Sequence, residues 1–260
     1  MKGVAFYFSG TGNTLYVSKL LKESFKKREI TLDLFSVENI KTVEDKYNFY
    51  VFLGPIYAEF FPEILTNFIK EKVPFVKGKK AIIISTQAGG YAPTGIGSFS
   101  DILEKKGFNI VLEHPIKMPN NYYVVAFKKP TNEDIKNAKE NAIKEAEYIT
   151  KKFINGKKER KKISTLRKKS MYLIYILVNK SFKTWARKKL TVKLDKCINC
   201  NKCINECPTN NIYKENNKFL FKDKCQSCMR CLHMCPVNAF KYKKKGFEQY
   251  KINRRHEIKN

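Results

Sequence analysis

Eight cysteines stand between positions 197 and 235 of a 260-residue chain, and the first 196 residues have none. Cys197, Cys200, Cys203 and Cys207 precede Pro208, and Cys225, Cys228, Cys231 and Cys235 precede Pro236, so C-x2-C-x2-C-x3-C-P occurs twice at an offset of 28 residues. Spacing this short lets a compact loop wrap three thiolates around one face of an iron-sulfur cube, while the fourth cysteine leads away with its proline to a second cube. On that reading Cys197, Cys200, Cys203 and Cys235 hold one 4Fe-4S cluster, and Cys225, Cys228, Cys231 and Cys207 hold the other. Thiolate pairs at this spacing also suit tetrahedral zinc, which gives no reason for the third cysteine of each triplet or the trailing proline. A disulfide framework suits small exported domains, and the apolar stretch 4–8 is too short for a signal peptide.

A second site of potential chemistry is Ser9-Gly10-Thr11-Gly12-Asn13-Thr14. Its glycines let successive backbone N-H groups converge, its hydroxyls add donors, and a helix opening there would present partial positive charge to an anion. The loop has no Lys or Arg. It lacks the Gly-Lys-Ser/Thr of a P-loop, and Leu15 stands where the dinucleotide fingerprint needs a third glycine. Asp33, about 20 residues on, leaves an NAD site weakened rather than eliminated, and a Gly-rich turn without a ligand is the bland alternative.

These residues need elements to position them. Apolar, β-branched or aromatic runs at 4–8, 30–35, 49–53, 81–84 and 110–112 alternate with segments of helical composition near 15–25, 62–72, 96–106 and 135–153. Five such strands imply a parallel α/β sheet covered on both faces, with ligands beyond the carboxyl ends of the strands. The loops after strands one, three and four are therefore the expected seat of function.

Residues 9–14 resemble the FMN-phosphate loop of flavodoxins, at the same place after the first strand. The resemblance implies FMN as cofactor and a flavodoxin-like, doubly wound, five-stranded parallel sheet. It also implies that the loops Gly54-Pro55-Ile56-Tyr57-Ala58 and Thr86-Gln87-Ala88-Gly89-Gly90-Tyr91 hold the isoalloxazine ring. Each offers glycine for close approach and one tyrosine for stacking. A third segment, 118–122, ends strand five.

From 191 to about 242 the chain resembles a bacterial-type ferredoxin with two 4Fe-4S clusters, a small α+β domain expected to depend on cluster ligation for its folding. The two modules in this order are similar to the ferredoxin-flavodoxin fusion proteins of anaerobic microbes. The expected organisation is 1–155 flavodoxin-like FMN domain, 156–190 basic helical connector, 191–245 ferredoxin domain and 246–260 basic tail. His233 is expected to be solvated, the alternative being that it tunes a cluster by hydrogen bonding; His114 and His256 have no partner visible in sequence.

Charge divides the chain as well. Fifty-two Lys and Arg stand against 24 Asp and Glu, a net charge of +28, and half of that excess lies in residues 151–190, with 15 basic residues and one acidic. Such a balance calls for an anionic partner. No apolar run approaches the roughly 20 residues of a membrane span, and cytoplasmic location is the expectation. The longest run, 171–178, covers every face of a helix and is expected to be buried between domains rather than to lie on lipid. The fitting function is intracellular electron transfer between two clusters and FMN, as a carrier or as the electron-accepting part of a reductase, with an acidic redox protein as partner. The alternative is a basic protein docking nucleic acid or an anionic membrane surface, with clusters in a structural role. The run 157–169 lacks the interleaved aromatics that an RNA surface favours.

Overall fold

The computed structural model describes residues 1–90, 92–161 and 163–252. The chain divides into two compact units. Unit one comprises Met1–Ser9, Asn13–Pro119 and Thr131–Leu173; unit two comprises Gly10–Gly12, Asn120–Pro130 and the chain from Ile174 onward.

Unit one alternates strand and helix: β1 (Lys2–Tyr7), α1 (Asn13–Lys26), β2 (Thr31–Ser36), β3 (Phe49–Pro55), α2 (Glu63–Lys72), β4 (Lys80–Gln87), α3 (Pro93–Lys105), β5 (Asn109–Lys117) and α4 (Asn132–Ile154). The strands form one five-stranded sheet in the order β2-β1-β3-β4-β5, every neighbouring pair parallel. That order is the flavodoxin-like doubly wound topology, with its switch point between β1 and β3. Continuous burial explains why the strand sequences do not alternate: Phe49, Tyr50, Val51, Phe52 and Leu53 are all completely buried, as a strand covered on both faces requires. Helix α1 packs on α4, and α2 on α3. The α4 start is fixed by a capping box: the Thr131 hydroxyl accepts from the Asp134 N-H at 3.1 Å, and the Asp134 carboxylate accepts from the Thr131 N-H at 2.8 Å.

Helix α5 (Thr165–Lys189) starts in unit one and ends in unit two. Unit two continues with β6 (Leu190–Val192), α6 (Lys202–Asn205), β7 (Ile212–Glu215), β8 (Lys218–Phe221), α7 (Arg230–Met234) and β9 (Phe240–Tyr242). Strand β6 pairs antiparallel with β9, and β7 with β8. The β7–β8 turn is Asn216-Asn217 with both φ angles positive, the two-residue hairpin geometry that asparagine tolerates. The core of this α+β unit combines Trp185 and Ala186 of α5 with Ile212, Met229, Leu232 and Phe240, and Tyr122, Val124 and Val125 pack against it.

The expectation that residues 171–178 are buried is corrected by their exposure. Leu173 is 65% exposed, Ile174 53% and Leu177 73%. An apolar run on every face of a helix reads as interior, but among the described residues of α5 the buried ones are Asn179, Trp185 and Ala186, beyond that run. No helix among the described residues is long and apolar enough to cross a membrane.

Candidate functional site

The two cysteine runs repeat in backbone as well as in sequence. Asn199 and Asn201 of the first have φ of 53° and 54°; Ser227 and Met229, 28 residues later, have 52° and 61°. Left-handed residues follow the first and second cysteine of each run and curl the chain, and a short helix, α6 or α7, follows in each copy. The exits repeat too. Asn210 and Asn238 are left-handed, and the Asn211 and Ala239 N-H groups each donate to the sulfur of the preceding fourth cysteine, Cys207 and Cys235, at 3.3 Å. Such N-H to sulfur bonds are among the features that set cluster potentials.

None of the eight cysteines is in a disulfide. Cys197, Cys200, Cys203 and Cys235 line one pocket whose wall includes Val192 and Phe219. Burial pushes the Cys203 thiol up to about 11, with Cys235 and Cys197 adding to the shift. In the second group, burial pushes Cys225 up to about 12, with contributions from Cys228 and Cys207. Cys231 is raised by burial and then by Cys228, Cys225 and Cys207. Cys235 of the second run thus lies with the first three cysteines of the first, while Cys231 feels Cys207 and Cys203 of the first run as well as its own neighbours. Among the described residues no group of three or more His, Cys, Asp or Glu is drawn in tightly enough for one metal ion. Four soft sulfur donors around one pocket would suit an iron-sulfur cluster, which would bind them as thiolates.

In unit one the carboxyl ends of β1, β3 and β4 bring three sequence-distant loops together. The Thr14 hydroxyl, at the start of α1, lies 2.8 Å from that of Thr86, and both residues are buried. Ser9 Oγ accepts from the Leu15 N-H at 3.3 Å, and the Asn13 amide donates to Pro119 O at 3.0 Å. Ile56 N-H donates to Thr86 O, tying the β3 loop to the β4 loop. Pro55, Ile56 and Tyr57 are half-buried and Ala58 exposed. Ala58 and Glu59 hold positive φ inside a turn closed by Tyr57 and Phe60. Gln87 is buried and donates to Gly90 O, while Ala88, Gly89 and Gly90 are exposed; a Cβ on either glycine would meet nothing within 4 Å. This rim is open to a planar ligand. Gly54 differs from expectation: a Cβ there would lie 2.6 Å from Leu65 and 2.8 Å from Phe61, so its size serves packing against the following segment. Tyr91 lies outside the described residues. Asp33 is engaged elsewhere, with Lys2 at 3.0 Å and the Tyr47 hydroxyl at 3.2 Å.

Gly10, Thr11 and Gly12, the tip of the first loop, belong to unit two. There Arg230 Nε donates to Gly10 O at 3.3 Å, the Asn121 amide donates to the Thr11 hydroxyl, and a Cβ on Gly12, whose φ is +105°, would lie 3.0 Å from Ile252. His233, expected in solvent, is 6% exposed. Its Nδ1 accepts from the Tyr250 N-H at 3.1 Å, which puts the ring proton on Nε2, donated to Asn121 O at 2.8 Å. Burial pushes its pKa down to about 4. Arg230 carried no signal in the sequence, and the contacts made by Asn121 and His233 were not legible there, because Thr11, Asn121 and Gly10 lie 110, 112 and 220 residues from the side chains that hold them. His114 bonds Glu145 at 2.6 Å beside the Tyr148 ring, and His256 lies outside the described residues.

Residues 189–236 match the family described as 4Fe-4S dicluster domain. No curated protein matches the chain. Among solved structures, flavodoxin 1 of Bacillus cereus is similar at 14% identity over 60% of this chain and 98% of that one, with TM-score 0.45. Flavodoxin 2 of the same organism is similar at 18% over 59% and 100%, TM-score 0.43. The two-electron reduced flavodoxin of Megasphaera elsdenii is similar at 20% over 55% and 99%, TM-score 0.41. The fold of unit one rests on its own strand order. Unit one thus has a flavodoxin-like α/β fold by its strand order, and residues 189–236 match the 4Fe-4S dicluster family.

Proposed function

We propose that this chain is an electron-transfer protein holding FMN on the loops of its flavodoxin-like fold and two 4Fe-4S clusters on its eight cysteines. The observation that carries the reading is the pocket lined by Cys197, Cys200, Cys203 and Cys235, in which the last cysteine of the second run joins the first three of the first run. Cys225, Cys228, Cys231 and Cys207 hold the second cluster. FMN supplies one- or two-electron steps and each cluster one-electron steps, so the pairing converts between the two.

The chain's own residues bind and orient. Ser9 to Thr14 receive the phosphate, and Thr86 fixes the Thr14 hydroxyl from the β4 loop. Pro55 to Ala58 and Thr86 to Tyr91 flank the ring. The N-H groups of Asn211 and Ala239 stabilise negative charge on ligand sulfurs.

The partner is an acidic redox protein docking on α5. Its exposed face presents Leu173 and Leu177 between Lys169, Lys180 and Lys188, an apolar centre with a charged rim, as protein interfaces have.

Anaerobic isolation tests the cofactors. The expected content is about eight iron, about eight acid-labile sulfides and about one FMN per chain. Stoichiometric zinc without iron overturns the cluster reading, and flavin-free protein that does not take up FMN overturns the flavin reading. Cys235→Ser is expected to lower iron to about four or fewer per chain, since that residue crosses between the runs.

A further inference from the structure

The phosphate loop has no cation in its own sequence, yet within unit two its tip is held by one. Arg230 is 3% exposed, with Nε donating to Gly10 O at 3.3 Å and Nη1 to Glu206 O at 2.8 Å. In a planar trans peptide the C=O and the following N-H point in opposite directions. Anchoring the Gly10 carbonyl on the guanidinium therefore turns the Thr11 N-H away from Arg230. A second side chain of the same short helix acts on the next group: His233 holds Asn121 by its carbonyl, and the Asn121 amide donates to Thr11 Oγ1. With Oγ1 accepting there, the Thr11 hydroxyl proton is directed to another acceptor. Gly12, at φ +105° with Ile252 close behind it, holds a conformation that strains any other residue. Arg230 and His233 both stand inside the run from Cys228 to Cys235.

We infer that Arg230 and His233 are positioning residues that pre-shape Gly10, Thr11 and Gly12 for a terminal phosphate dianion. Residues lying between cluster ligands in sequence then govern phosphate recognition by the flavin loop; the inference rests on the FMN reading above. Preset donors are not reorganised on binding, and a nearby guanidinium in a desolvated setting favours a dianion over a neutral ligand.

The test compares FMN with riboflavin, which lacks the phosphate, by flavin fluorescence titration of cluster-loaded protein under anaerobic conditions. Wild-type protein is expected to prefer FMN. Arg230→Gln is expected to raise the FMN Kd by about ten-fold or more while leaving riboflavin Kd and iron content unchanged. Arg230→Lys, which restores the charge, is expected to recover part of the loss. Asn121→Ala, outside the cysteine runs, is expected to weaken FMN by about three-fold with riboflavin unaffected, and it decides the matter if the arginine variants do not assemble their iron. Unchanged FMN affinity, or equal weakening of both flavins, overturns the inference and leaves the flavin reading standing. A wild-type protein that binds riboflavin as well as FMN overturns the phosphate assignment itself, and this inference with it.

Discussion

Unit one and unit two position their candidate ligands by opposite means. In unit one a sheet of five parallel strands, with β3 and β4 almost wholly buried, fixes the loops at its carboxyl edge before any ligand arrives. In unit two the strands have three or four residues each, and the loops that carry the cysteines hold non-glycine residues in the left-handed region at Asn199, Asn201, Asn210, Ser227, Met229 and Asn238. Such conformations cost roughly 1 kcal/mol or more per residue and persist where surrounding bonds over-determine them. An apolar core can hold the first site; the second needs its ligand bonds.

Withdrawal of iron is the strongest way to break that comparison. Protein prepared without iron is expected to lose hydrogen-exchange protection across β6 to β9 while β1, β3, β4 and β5 stay protected, because metal-ligand bonds in a small unit are also its folding energy. Retained protection across β6 to β9 would mean that Trp185, Leu232, Phe240 and their neighbours suffice as a core, and the contrast would collapse.

A single methyl group tests unit one. A Cβ on Gly95, in the first turn of α3, would lie 1.9 Å from Glu59 O, inside the turn that closes Tyr57 against Phe60. Gly95→Ala is expected to cost about 1 to 3 kcal/mol by overpacking, read in denaturant unfolding, and to weaken FMN binding by moving that turn. Iron content should not change.

The same contrast governs what sequence could reveal. In unit one, buried strands such as Phe49 to Leu53 are written as uninterrupted apolar runs, so their existence and order were legible; the Thr14 to Thr86 hydroxyl contact was not, because it depends on parallel register 72 residues apart. In unit two the 28-residue offset announced the repeated loops, since ligand chemistry dictates cysteine spacing directly. The α5 run misled because hydrophobicity reports what a residue favours and not whether the fold supplies a neighbour. His233 misled in the other direction: its acceptor, the Asn121 carbonyl, is supplied by a segment that sequence gave no reason to place in unit two.

Removal of one hydroxyl sharpens the comparison within unit one. Thr14→Ala deletes a buried group that touches Thr86, leaving the Thr86 hydroxyl short of that neighbour. The expected loss is on the order of 1 to 2 kcal/mol in FMN affinity, with riboflavin less affected, by fluorescence titration. Equal affinities for the variant and wild type would move the phosphate elsewhere.

The smallest expected effect concerns the helix shared by both units. Several basic residues near it are already paired: Lys168 with Asp101 at 2.6 Å, Arg160 with Glu113 at 2.9 Å, and Arg187 with Asp223 at 2.9 Å. Charge available to a partner therefore lies on other side chains, and Lys169, Lys180 and Lys188 are exposed. Their spacing from Leu173 and Leu177, at steps of four, four, three and eight residues, places all five on one helical face. Clustered positive charge speeds encounter with an acidic surface, and the gain fades as salt shortens screening to below about 8 to 10 Å. Changing Lys169, Lys180 and Lys188 to Glu is expected to slow electron exchange with an acidic flavodoxin or ferredoxin several-fold at low ionic strength, with cofactor content intact and little difference at high salt. Leu173→Asp, which disturbs the apolar centre, is expected to slow exchange at every salt concentration. A lysine variant that exchanges electrons at the wild-type rate but no longer sediments with anionic-lipid vesicles would assign the face to a membrane surface and sink the protein-partner reading.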